Sequence, residues 1–141
     1  MTTFHMSVQL ASASDSIRLF LHVIGATIWV GGQLVFAALV PVLKKKDAAL
    51  PKLVAHQFNK IAWPAYGLLV ITGMWNMASL PKQVPSNYSA FIGVKMTVVI
   101  FSAVAAILHS RAKSAKGMAM WGAMSGLAAI SATYVGVLLA G

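Results

Sequence analysis

Four stretches of mostly apolar residues, none holding an acidic side chain, constrain this chain more than any other feature. They run over roughly 19–43, 61–80, 91–109 and 118–140. About 20 such residues make a helix long enough to cross a bilayer. Backbone groups in lipid have no water to bond, so each stretch must pair its own N–H and C=O groups, as a helix does. The expected fold class is therefore all-α: an integral-membrane four-helix bundle over 19–141, preceded by a polar segment over 1–18. A soluble core could not hide this sequence. It is 59% hydrophobic and 9% charged, against roughly 25% charged in ordinary soluble domains. No basic n-region precedes the first stretch, which is expected to stay in the protein as its own signal-anchor.

Eleven Lys and Arg stand against two acids, Asp15 and Asp47. Nucleic acid is rejected as a partner, because the bases lie between apolar runs. Lys44, Lys45, Lys46, Lys52 and Lys60 follow the first stretch, and Arg111, Lys113 and Lys116 follow the third. The positive-inside rule turns both links toward the cytoplasm and both termini outward. A bacterial-type inner membrane is the expected location. The link from Lys44 to Lys60 reads equally as a solvated loop or a short interfacial helix. In the fourth stretch, small residues recur four apart: Gly122 with Gly126, Ser125 with Ala129, Ala132 with Gly136. That spacing serves packing inside the bundle or a homo-oligomer contact. The chain has no cysteine, which excludes disulfides, thiolate metal sites and a thiol nucleophile.

Topology converts sequence position into depth. His22 sits three residues into the first span, about 5 Å below its outer start at the helical rise. Met74 and Met77 approach that level from the second span, Lys95 and Met96 from the third, and Tyr134 from the fourth. Arg18 lies one turn above His22 on the same face. An ionisable group inside a membrane is costly, so it marks a functional site by default; the bland alternative is a histidine bonded to a neighbouring carbonyl. Lys95 either snorkels to the surface or meets an anion. Trp29 shares the face of His22 as packing, while Trp75 and Tyr88 suit an outer aromatic belt. His56 and His109, near the inner boundary, form a weaker second set.

Two metal chemistries compete for His22. Copper(I) takes imidazole and thioether ligands, which His22, Met74, Met77 and Met96 would supply. Haem iron takes His or His/Met axial ligation, with Arg18 and Lys95 on its propionates. Two bases with no acid nearby repel a bare cation and attract anionic propionates, which tilts the choice toward haem b. No hydrolase or kinase constellation is present, and no catalytic residue is assigned. Without an acid in any span, a proton-driven carrier is not expected.

Four segments carry a family resemblance. "LHVIGATIWVGG" resembles the opening span of the copper resistance protein D (CopD) group, with its histidine and Trp-Val-Gly-Gly cluster. "FNKIAWPAYGLLVITGMWNM" is similar to that group's second span, with Thr-Gly near the outer end. "GVKMTVVIFSAVAAILHSRAK" and "MSGLAAISATYVGVLLAG" resemble its third and closing spans. The same plan is similar to the HemJ-type protoporphyrinogen oxidases, which bind haem and act on a tetrapyrrole. The likeness covers nearly the whole chain from about Ile17. It implies a functional first-span histidine and third-span lysine, here His22 and Lys95. The expectation is a membrane protein carrying haem b for electron transfer or redox chemistry, with a redox partner or a larger membrane complex. A copper-handling protein and a cofactor-free subunit of a larger membrane complex are the alternatives.

Overall fold

The computed structural model describes residues 11–140, which form four long helices. Helix α1 runs Ala13–Lys46 with one π-helical turn at Thr27–Gly31. Helix α2 is Leu50–Ala78, α3 is Ser86–Arg111 and α4 is Ala115–Ala140. Among them α1, α3 and α4 are long and apolar enough to cross a membrane. The apolar run of α2 is diluted by Pro64, Tyr66, Thr72 and Asn76; of these, Tyr66 bonds to Val99 and Thr72 to His22 inside the molecule. Of the polar segment expected over 1–18, residues 1–10, with His5, lie outside the described residues. The rest is not a separate segment, because α1 already begins at Ala13.

Short polar side chains set the helix ends. The Ser12 hydroxyl oxygen accepts from the Asp15 backbone N–H at 3.1 Å and donates to the Asp15 carboxylate at 2.7 Å. That reciprocal cap starts α1 six residues earlier than the apolar pattern does. Asp47 ends α1, and its carboxylate accepts from the Ala49 N–H at 2.8 Å. Pro51 follows in the first turn of α2, where a missing N–H costs nothing. The link expected from Lys44 to Lys60 is thus neither loop nor separate helix. It is a turn over 47–49, and its polar remainder forms the start of α2.

Packing is inside-out relative to a soluble bundle. Phe20, Ile71, Leu127 and Val137 are more than 60% exposed. Apart from Trp29 and Leu69, the buried positions are small: Ala62, Ala65, Ala103, Ala105, Ala128, Ala129 and Ala132, with Thr72, Ser102 and Ser125. Small residues let helix backbones approach when lipid, not water, surrounds them.

Consecutive helices pair antiparallel. In the first pair, His22 meets Thr72 and a Cβ on Gly25 would lie 3.0 Å from the Ala65 carbonyl oxygen. That approach of backbone to backbone is what Gly25 permits. In the second pair, Tyr88 reaches Leu139, Ser102 meets Ser125 and His109 meets Met118. The small-residue stripe of α4 is largely used here. Ser125, Ala129 and Ala132 are buried, and Gly122 and Gly136 lie against His109 and Lys95.

The two pairs approach most closely at the π-helical turn of α1. One residue too many in that turn shifts the helical phase and brings Trp29 inward. The Trp29 indole N–H donates to the Ser102 hydroxyl at 3.1 Å. Its ring lies 4.6 Å from Tyr66 and 5.3 Å from Trp63, and the Tyr66 hydroxyl donates to the Val99 carbonyl at 3.2 Å. This aromatic belt divides the seam between the pairs into two cavities.

Candidate functional site

The larger cavity, about 680 Å³, lies at the end of the seam bearing His22 and Lys95. Its volume falls in the range of about 300–1,000 Å³ typical of small-molecule and cofactor pockets. Five of the residues expected at one depth line it: Arg18, His22, Met77, Lys95 and Met96. The register explains the gathering. His22 stands level with Gly73, 3.5 Å from where a Cβ there would be, and Lys95 lies across Gly136, its Nζ 3.0 Å from such a Cβ.

Two expected members are absent. Met74 is 60% exposed and Tyr134 64% exposed, and neither lines the cavity. Each lies two positions, about 200° of helix, beyond an inward residue, Thr72 and Ala132 respectively. Tyr88 shows the opposite error. Expected in an outer belt, it lines the cavity, while Trp75 stays exposed.

The Thr72 hydroxyl lies 2.9 Å from His22 Nδ1. Its own proton goes to the Leu68 carbonyl oxygen, at 2.7 Å, within α2. A hydroxyl has one proton, so Thr72 accepts here and Nδ1–H donates. The neutral ring then carries its lone pair on Nε2, as metal-ligating histidines held by an outer partner do.

Charge in the cavity is cationic, with one qualification to the expectation that no acid lies near. The Asp15 carboxylate sits 2.9 Å from Arg18 Nη2. Arg18 is thereby partly neutralised, yet its Nε is buried with no partner, as is the Asn76 amide oxygen. Lys95 has no ion pair among the described residues. Thr72 and Asn76 were absent from the sequence-level site. Thr72 stands in the Thr-Gly pair that carries the family resemblance, and Asn76 shows in the sequence only as a polar residue within an apolar run.

The smaller cavity, about 200 Å³, opens on the other side of Trp29. His109 lines it, and its Nδ1–H donates to the Met118 carbonyl oxygen 2.6 Å away, since a carbonyl only accepts. His56 is exposed and does not line it, so the cavity does not join the two histidines. Among the described residues, no three His, Asp or Glu side chains gather into a metal-binding group. In the larger cavity the side chains that could ligate a soft metal are the His22 imidazole and the thioethers of Met77 and Met96. Scans of the chain against family models, curated proteins and solved structures found no match.

Proposed function

We propose that this is a CopD/HemJ-like four-span protein of the inner membrane that holds haem b in the larger cavity and serves membrane electron transfer. In this reading α2 crosses the bilayer with the other three helices, its polar residues turned to the seam. The end carrying Lys44–Lys46, Arg111, Lys113 and Lys116 faces the cytoplasm. The haem cavity then lies in the outer half, and both termini face outward.

One observation carries the reading: His22 lines a cavity whose free charge is positive, and with its Nδ1–H held by Thr72 its free ligand atom is Nε2. The residues fit a haem. Imidazole would suit the iron, and the thioethers of Met77 or Met96 would be the other side chains able to hold it. Lys95 Nζ and the unpaired Arg18 Nε match anionic carboxylates. A bound haem would supply a one-electron iron centre. The chain's part is to fix the imidazole tautomer through Thr72, to hold carboxylates through Lys95 and Arg18, and to line the rest with apolar surface. Electron carriage needs no further residue; HemJ-like oxidation of a tetrapyrrole is the enzymatic variant of this reading. Its partners are the bilayer and a redox donor or acceptor, alone or in a larger complex. A second copy would meet the outer face of α4 around Gly126 and Leu127.

Copper is the second reading, because His22, Met77 and Met96 line one cavity. Lys95 beside them disfavours a bare cation. Absorption spectra of gently purified protein, oxidised and reduced, with metal analysis of the same sample, separate the readings. The proposal expects a Soret band that shifts on reduction, about one iron per chain, and loss of both in His22→Ala. Copper without a Soret band supports the second reading. Neither metal, after expression with ample haem, sinks both and leaves a cofactor-free subunit.

A further inference from the structure

The smaller cavity is chemically unlike the larger one. Aromatic rings of Trp29, Phe58 and Trp63 form its walls, and no Lys, Arg, Asp or Glu lines it. Gln33, Asn59, His109, Ser110 and Ser125 are the polar side chains lining a void of about 200 Å³, and Gln33 and His109 each have a hydrogen-bonding atom left over. The Gln33 amide oxygen lies 3.0 Å from the Ser125 hydroxyl, while its Nε2 is buried without an acceptor. An unpaired buried donor is expensive, and native structures normally satisfy it. His109 contributes the complement: with Nδ1–H given to Met118, its Nε2 is an acceptor.

The size admits little. About 150 Å³ suffices for one benzene ring, so this cavity holds one substituted six-membered ring and not a tetrapyrrole. Flat aromatic walls favour a flat ring. A donor with no acceptor asks for a carbonyl, and the absence of lining charge argues against an ion. The ring's carrier must also be lipid-soluble, since the surrounding helix faces are apolar.

We propose that this cavity binds the carbonyl-bearing headgroup of a membrane quinone, with a ring carbonyl accepting from Gln33 Nε2. In the hydroxylated, reduced form of the ring, the His109 Nε2 acceptor has a donor to meet. Trp29 walls both cavities, so the ring and the contents of the larger cavity stand on opposite sides of one side chain. The binding claim needs no haem; only its use as an electron partner rests on the function proposed above.

The test is equilibrium binding of a short-chain ubiquinone to the purified protein in detergent, with the haem spectrum recorded on the same samples. The expected result is saturable binding of about one per chain. Gln33→Leu removes the donor and should weaken binding at least tenfold. Ala55→Trp, on the half-buried wall formed by α2, should abolish it by filling the void. Both variants should leave the Soret band unchanged. No saturable binding to the native chain, or equal binding in both variants, overturns the proposal. Should Gln33→Leu not fold, Ala55→Trp alone decides. Quinone binding without any haem would sink the haem reading and leave this one standing; the converse result would do the reverse.

Discussion

Replacing Thr72 by valine tests the argument about His22 most directly. The two side chains have the same shape, but valine cannot accept the Nδ1–H proton. In the empty protein the loss is relieved cheaply, because a neutral imidazole can move its proton to the other nitrogen or turn toward another acceptor. With iron on Nε2 that escape is closed. Nδ1 must keep its proton, half-buried and now unpaired. An unsatisfied buried donor costs about 1–3 kcal/mol, and here the cost falls on the loaded state alone. Haem affinity should therefore fall about 5- to 150-fold at RT ln ratios of that size, in line with the 10–100-fold usual for the outer partners of metal ligands. Thr72→Ser keeps the hydroxyl and should stay within about threefold of the native chain. The assay is titration of haem-free protein with haemin, read at the Soret band, beside thermal unfolding of the empty forms. Native affinity in Thr72→Val would refute the tautomer assignment. An equal loss of stability in the empty form would show that Thr72 matters only to packing between α1 and α2.

Three further outcomes are expected. Gly25→Val pushes a side chain onto the Ala65 carbonyl oxygen and Leu69 backbone N, 3.0 and 3.2 Å from a Cβ, so thermal unfolding in detergent should show about 1–3 kcal/mol lost; Gly73→Ala, with its nearest contact at 3.5 Å, should be close to neutral. Gly136→Val should displace the Lys95 ammonium and lower haem affinity about as far as Lys95→Met does, and the double variant should be no worse than Lys95→Met alone, since both changes remove one interaction; additive losses in the binding titration would show that Lys95 does not act through its place on Gly136. The chain has no cysteine, so single cysteines introduced at Ala48, Lys82 and Ser114 can be labelled without background in intact cells. Lys82→Cys should react with an impermeant reagent, Ala48→Cys and Ser114→Cys only after lysis, and the reverse pattern would invert the orientation.

Most of the helices were legible in the sequence because lipid permits few alternatives. An apolar run without acids must be helical wherever it crosses. The ends were less legible, since polar caps decide them: Ser12 with Asp15 lengthens α1, and Asp47 shortens the inner link to a turn. Five of the residues expected at one depth line one cavity, and Met74 and Tyr134 do not, because depth says nothing about rotation around a helix. The π-helical turn was invisible for a related reason. "TIWVG" has the composition of ordinary helix, and the extra residue appears only where Trp29 must reach Ser102. Asn76 and Gln33 are not legible as site residues, because single uncharged polar residues in a span ordinarily bond back to their own helix. In the fold they line the two cavities of the seam, while Thr72 meets His22 within the first pair.

The seam itself explains why both cavities exist. Within each pair the residues facing the partner helix are small, so Gly25 sits on Ala65 and Ser102 on Ser125 and no space remains. Between the pairs the residues are large but confined to one level, where Trp29, Trp63 and Tyr66 meet. A thick belt holds two helix pairs apart above and below itself, as a spacer does. The space on the His22 side is lined by cations and thioethers, and the space on the Gln33 side by neutral hydrogen-bonding groups. Shrinking the spacer should therefore act on both at once. Trp29→Ala removes the belt's central ring, and the pairs can close only by collapsing both cavities. Trp29→Phe keeps most of the ring and loses the bond to Ser102, about 1 kcal/mol. If haem and quinone binding both survive Trp29→Ala, the belt is not what keeps the seam open, and the two cavities are independent features of the two pairs.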